Sequence, residues 1–380
     1  MLFPERKRKG VRVVVTGQVG VDKKPFLERV AEIARERGKE VTLFHVGDRM
    51  YAEAPDVRPG RILDLPKKRL DGLRRSVFKD CMALAGRVEN LIVNTHATFR
   101  WRHGLFHAYD HDQMVELDAD LYITLVDNAD AVHERLLRQH DIPHTLKDIL
   151  VWREEEIVVT ATIAEATRGY GSHYIISRGE KEETAALMLY RLMFEPKRKR
   201  VYPSFPMTHV LDMPATLAQI NAFRAALAEH FITFDPGDLD EKRLLFDAGA
   251  AIQRGEEWFT IRVNGVDLRL RAHDVTTVAA DIDGQIYARD FKLIDQSDMI
   301  VSFIPEMPGG KPALSSGVER ELQHAFEGTK EVYVVWEPRA EPSPFITQTA
   351  SRVFAGVDDV LKFFHQKGYI QQYAPMLLKT

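Results

Sequence analysis

The chain has 380 residues, 45% of them hydrophobic, with 52 Lys and Arg against 56 Asp and Glu and a formal charge of -4. That length fits two domains of ordinary size better than one. The near-neutral balance argues against a surface that coats nucleic acid, and no apolar run approaches the roughly 20 residues of a membrane span. The single cysteine, Cys81, excludes an intramolecular disulfide and a cysteine-rich metal site. A reducing, cytoplasmic setting is expected, and residues 1–10 carry no apolar core of a secretory signal.

In chain order, a buried strand is predicted over residues 11–16, then a helix over 26–37 with Phe26, Leu27, Val30, Ile33 and Ala34 on one face. Strands follow at 41–46, 90–94, 121–126 and 173–176, with helices around 69–87 and 129–139. The alternation favours a parallel sheet covered by helices. A basic run with a proline, Pro196-Lys197-Arg198-Lys199-Arg200, then reads as a linker or an exposed strand entry. After it the β/α order restarts. A strand is predicted near 201–205, a helix over 216–230 and a strand at 231–234. A less regular region leads to a helix near 287–296, a strand at 299–304, a helix from Ser316, a strand at 331–336 and a last helix near 357–366. The reading is two parallel-sheet α/β domains, 1–196 and 197–380.

Gly17-Gln18-Val19-Gly20-Val21-Asp22-Lys23-Lys24 joins the first strand to the first helix, the context of a phosphate-binding P-loop. In the intact pattern backbone N–H groups wrap the phosphates, the lysine neutralises them and a hydroxyl binds magnesium. Here Asp22 replaces the second glycine and Lys24 replaces the Ser or Thr, while Lys23 is in place. Together with Val46-Gly47-Asp48-Arg49-Met50, Leu65-Pro66 and Asn94-Thr95-His96-Ala97-Thr98-Phe99-Arg100, this half resembles the archaeal-type adenylate kinases over about residues 11–190. The resemblance implies a P-loop kinase fold, with ATP at Gly17, Gly20 and Lys23 and AMP near Asp48, Arg58 or Arg61, and Arg100. The segment that would be the lid, residues 138–145, lacks the arginine-rich character of the family. The changes at Asp22, Lys24 and the lid argue against efficient transfer with ATP and magnesium. They point to a pseudokinase that still binds a nucleotide.

In the second half, Ser316 followed by Glu319 forms a capping box, so the helix is expected to start there. Val318, Leu322, Ala325 and Phe326 form its apolar stripe, with Glu321 on the flank. A carboxylate beside a helix N-terminus suits N-glycosidic chemistry on a nucleotide. The segments 286–291, 295–301, 315–325 and 332–338 resemble the nucleoside 2-deoxyribosyltransferase superfamily, closest to its deoxynucleoside 5'-monophosphate N-hydrolase branch, over residues 201–365. That resemblance implies a flavodoxin-like domain that dimerises, so a homo-oligomer is expected.

It also carries over Glu321 as the carboxylate facing the sugar and Asp290 as the acid for the departing base. Ser315 would meet a 5'-phosphate, Ser343 would do so from a partner subunit, and Arg289, Asp298 and Tyr202 would line the substrate site. No metal and no cofactor are required for that chemistry. The strand-end segment Tyr202-Pro203-Ser204-Phe205-Pro206-Met207-Thr208-His209 lacks the glycine loop of the family, and residues 305–312 form a longer loop.

Three readings remain. One is a nucleotide N-glycosidase or deoxyribosyltransferase fused to a nucleotide-binding pseudokinase, with NAD also conceivable as substrate. The second is a nucleoside monophosphate kinase with a regulatory second half. The third is a sensor that binds nucleotides without turnover. In each the partner is a mononucleotide or related small molecule, not nucleic acid and not a membrane.

Overall fold

The computed structural model describes residues 9–101, 104–140, 144–179, 182–207, 210 and 212–370. Contacts divide the chain into two compact units, Met1–Phe194 with Asp238–Gln285, and Glu195–Gly237 with Ile286–Thr380. A single boundary is expected from the sequence, with residues 197–380 forming the second domain. The structure departs from that: residues 238–285 leave the second unit and pack with the first.

The first unit opens with β1 (Arg12–Thr16), α1 (Lys23–Glu36), β2 (Thr42–His45), α2 (Val46–Glu53), α3 (Lys67–Ala85) and β3 (Leu91–Asn94). A hairpin, β4 (Thr98–Trp101) and β5 (Gly104–His107), precedes α4 (His111–Leu117), β6 (Leu121–Val126), α5 (Ala129–His140), α6 (Leu146–Thr167), β7 (His173–Ser177) and α7 (Glu182–Phe194). The sheet is five-stranded in the order β2-β3-β1-β6-β7, and every pairing is parallel. Its strands read as apolar runs because both faces are covered; Val13, Val14 and Val15 are all buried. The strand–glycine loop–helix start on a parallel sheet is the P-loop kinase-like arrangement expected for this half.

In the second unit, β8 (Arg200–Ser204), α8 (Pro214–His230) and β9 (Ile232–Thr233) come before the excursion. The excursion contains α9 (Glu241–Gln253), the antiparallel hairpin β10 (Trp258–Val263) and β11 (Val266–Arg271), and α10 (Ala272–Thr277). The helix α11 (Ala279–Asp295) begins well before the expected residue 287. It is followed by β12 (Met299–Ile304), a two-residue pair β13 (Glu306–Met307) and β14 (Lys311–Pro312), and α12 (Ser316–Glu327). Next come β15 (Glu331–Trp336), a single turn α13 (Pro344–Thr347), β16 (Arg352–Phe354) and α14 (Val357–Gln366).

The second sheet is parallel in the order β9-β8-β12-β15-β16. Numbered within the unit this is 2-1-3-4-5, the flavodoxin-like order, whose ligand crevice lies outside the C-terminal strand ends at the switch between strands 1 and 3. Those strands are β8 and β12. Behind them Phe223 stacks on Phe303 at 5.2 Å and Phe231 meets Phe364 edge-on at 5.5 Å, each such buried ring contributing roughly 1.5–3 kcal/mol.

Among the described residues, no helix is long and apolar enough to cross a membrane. Cys81 is buried and free, and burial pushes its thiol up to about 12, which leaves it unreactive.

Candidate functional site

Glu321 sits at the β8–β12 switch. Its Oε1 accepts the Tyr202 hydroxyl at 2.9 Å and its Oε2 accepts the Ser204 hydroxyl at 2.6 Å. Both donors stand on one face of β8, two residues apart, as strand periodicity requires. Ser302 of β12, in register with Ser204, donates to Ser204 Oγ at 3.4 Å. The carboxylate is therefore aimed by neutral hydroxyls, and among the described residues it forms no ion pair. Burial pushes Glu321 up to about 8 against the lowering effect of Ser204, and the nearby Asp290 charge adds to the rise. Asp290, on α11, is also raised by burial, to about 6, with the Arg289 guanidinium 3.7 Å away opposing the shift. Asp290 is buried and its Oδ1 accepts no hydrogen bond.

Other residues expected at this site divide. The α12 cap is Ser315, not Ser316: Ser315 Oγ accepts the Val318 N–H at 3.3 Å, and Ser316 is the first helical residue. A hydroxyl that accepts in this way still has its own hydrogen to donate, so capping and phosphate contact are compatible at Ser315. Tyr202 has no exposed surface. Its hydroxyl bonds Glu321, and burial beside that carboxylate holds its phenol well above the usual range. Arg289 is buried beside Asp290 in the same way.

Asp298 is a correction. It accepts the Arg200 N–H at 2.8 Å and Nε at 3.2 Å, and also bonds Nη2, which pins the start of β8 to the start of β12. Four residues of strand separate this end from Ser204, roughly 13 Å, so Asp298 lies at the wrong end of the sheet for the crevice. Ser343 caps the α13 turn through its backbone carbonyl, which accepts from Ile346 and Thr347. Thr208 and His209, which close the strand-end segment weighed above, lie outside the described residues.

The first unit presents a different chemistry. Gly17 (φ 137°) and Gly20 (φ 87°) take backbone shapes that suit glycine, and a Cβ on Gly17 would meet the Leu125 carbonyl oxygen at 2.5 Å. Asp22 adopts a left-handed conformation (φ 56°) where the family has glycine. Lys23 is buried, and its ammonium donates to the Gly17 carbonyl at 2.5 Å and to His96 Nδ1 at 3.4 Å. Burial lowers Lys23 to about 8 against the pull of Glu156 and Asp22. Burial and the Lys23 charge keep His96 neutral.

Glu156, fully buried on α6, accepts the N–H groups of Gly17 (3.2 Å), Ala97 (3.0 Å) and Thr98 (3.1 Å) and the Thr98 hydroxyl (2.9 Å). Asp48, Arg61 and Arg100, expected near AMP, each have an internal partner. Lys24 pairs with Asp48 at 2.7 Å, and Arg100 forms a two-pronged pair with Glu155 at 2.7 and 2.8 Å. Arg61 bonds Asp64 at 2.6 Å. Of the expected lid, residues 141–143 lie outside the described residues. An ammonium at Lys24 cannot ligate magnesium, so the loop does not fit that ion. Among the described residues no group of three or more His, Cys, Asp or Glu is placed to hold a metal.

Sequence reasoning missed Glu156, Glu155, Arg135 and Arg153. Three of them lie on α6, which carries polar and apolar buried residues on all sides and so gives no amphipathic stripe. Ser204 was quoted only as part of a glycine-free segment; its place two residues after Tyr202 on a strand is the signal that pairs them.

Comparison with protein families and with curated proteins gives no match. Among solved structures, the chain is similar to the shikimate kinase of Bacteroides thetaiotaomicron at 13% identity, covering 49% of this chain and 98% of that one, with a TM-score of 0.34. It is also similar to a gluconokinase from Sinorhizobium meliloti, at 16% identity over 50% of this chain and 97% of that one, TM-score 0.32. A third is the Deinococcus radiodurans tunicamycin resistance protein, at 11% identity over 48% of this chain and 95% of that one, TM-score 0.32. At these values the likenesses carry no argument about activity.

Proposed function

We propose that the second unit cleaves the N-glycosidic bond of a nucleoside 5'-monophosphate, by hydrolysis or transfer, and that the first unit is a nucleotide-binding, kinase-like module without efficient phosphoryl transfer. The observation that carries this is Glu321, held by Tyr202 and Ser204 at the switch point with Asp290 beside it. With Asp290 at about 6 and Glu321 at about 8, the pair holds one proton between those pH values. One acid and one carboxylate is the combination that glycosidic cleavage requires.

Burial places that proton first on Glu321, the reverse of the roles expected from sequence. A sugar cation developing against Glu321 lowers its proton affinity and moves the proton toward Asp290. The C1'–N bond breaks with its electron pair on the base nitrogen, which takes the proton. Glu321 stabilises or captures C1'. Water then adds its oxygen to C1', releasing the Glu321 carboxylate where it had bonded, and returns a proton to the pair; in transfer, the nitrogen of a second base adds instead and gives up its proton to the pair.

The substrate arm rests on Ser315. Base release should favour a deoxynucleoside 5'-monophosphate over its nucleoside by about tenfold or more in kcat/KM, and Ser315→Ala should narrow that ratio. Equal rates on both substrates would remove the phosphate from the proposal.

A second reading, a monophosphate kinase, is favoured by one observation. The Gln18 side chain in the loop is buried with neither amide atom partnered, which a ligand would satisfy. Phosphate transfer from ATP to AMP that disappears in Lys23→Ala would favour it.

A further inference from the structure

Arg135 of α5 is buried against the phosphate loop. Its Nη1 donates to the Gly20 carbonyl at 2.9 Å and to Asp127 at 2.8 Å, and its Nε lies 3.4 Å from the Asp22 carboxylate. Its Nη2 donates to the side-chain oxygen of Asn264 at 3.0 Å. Asn264 stands at the tip of the β10–β11 hairpin in the excursion. Its amide nitrogen donates to the Ala131 carbonyl at 3.2 Å and to Glu134 at 3.0 Å. The tip is the two-residue turn Asn264-Gly265, with φ of 50° and 78°, a shape that sets a tight hairpin.

The base of the excursion is fixed separately. Arg153 of α6 bonds Glu241 at 2.6 and 3.1 Å and Gln285 at 2.6 Å, and Glu241 accepts the Ala129 N–H at 3.0 Å. The tip, the α5 N-terminus and residues Arg178, Gly179 and Glu182 line a polar cavity of about 360 Å³.

In phosphoryl-transfer proteins an arginine beside the loop stabilises phosphate charge. Here the arginine next to the loop is held by the loop's own Asp22 and by an inserted hairpin. We propose that the excursion is a tethered clamp. Its Asn264 tip competes with a nucleotide phosphate for Arg135, so nucleotide binding at the loop and hairpin docking oppose each other. This rests on the reading of the loop as a nucleotide site. By linkage the effect is reciprocal: a nucleotide that draws Arg135 away loosens the hairpin, and loosening the hairpin tightens nucleotide binding.

The test uses the full chain and ADP. Asn264→Gly keeps the turn conformation and removes the side chain. By titration calorimetry it should bind ADP at least tenfold tighter than wild type. In the wild type, saturating ADP should speed amide hydrogen exchange across residues 258–271, a readout that needs no variant. If both proteins bind ADP with affinities within twofold and exchange is unchanged, the clamp is overturned and the nucleotide site stands. If neither binds ADP, the nucleotide site and the clamp fall together.

Discussion

The phosphate loop and the Glu321 site both place an ionisable group at the C-terminal end of a parallel strand, yet they treat charge in opposite ways. Around the loop, four cations already meet internal acceptors: Lys23 the Gly17 carbonyl, Lys24 Asp48, Arg100 Glu155 and Arg135 Asp22. At Glu321 the carboxylate is aimed by two hydroxyls and, among the described residues, forms no ion pair. Satisfied charge gives a stable scaffold. Charge that is buried but only partly satisfied keeps a shifted proton affinity and can do work on a substrate. This contrast is what supports the proposal of turnover in the second unit and of binding in the first.

The largest effect expected on the scaffold side is at the fully buried Arg153–Glu241 pair. Arg153→Leu leaves Glu241 buried without its cation and should cost about 3–5 kcal/mol. Pairing it with Glu241→Leu should recover much of that loss in a denaturation series. If the single and double variants are equally destabilised, the pair is not the anchor described above.

On the catalytic side, base release should follow a bell in pH with limbs near 6 and near 8, from Asp290 and Glu321. A profile flat across that range would separate the pair from the chemistry. The smallest effect is on stability. Glu321 titrates higher in the fold than its ordinary value of 4.5, so the fold favours its protonated form. That contribution is fully present below the ordinary value and is lost as pH rises through about 8. Glu321→Gln, neutral at every pH, should then be more stable than wild type at pH 9 and little changed at pH 5, read as the difference in Tm. A gain of the same size at both values would mean that the charge is not what burial disfavours.

Much of the architecture was legible in the sequence because parallel strands buried on both faces write themselves as short apolar runs. Strands predicted at 121–126, 299–304 and 331–336 are found at Leu121–Val126, Met299–Ile304 and Glu331–Trp336. The excursion was not legible as part of the first unit. Whether α9 and the β10–β11 hairpin pack on one domain or another depends on contacts such as Arg153–Glu241, 88 positions apart, which no local pattern encodes. The Asn264-Gly265 pair between alternating strands is the local signal that marks the hairpin itself.

At the sites, Glu321 and Asp290 could be named from motif and helix position, but their environment could not. Tyr202 and Ser204 come to Glu321 from more than a hundred residues away. Asp298 shows the opposite failure: a carboxylate just before a strand looks functional in sequence, and only the strand direction places it at the far end from the crevice. The Ser315 cap was displaced by one residue because Ser315 and Ser316 are equally good caps by composition.

The most direct measurement is release of free base from a panel of deoxynucleoside and ribonucleoside 5'-monophosphates, comparing wild type with Glu321→Gln prepared alongside it and shown to be folded. The account expects at least one monophosphate to yield free base with wild type, and roughly 10³-fold or more slower release with the variant. Release at equal rates by both proteins, or none from any substrate by wild type, would contradict it.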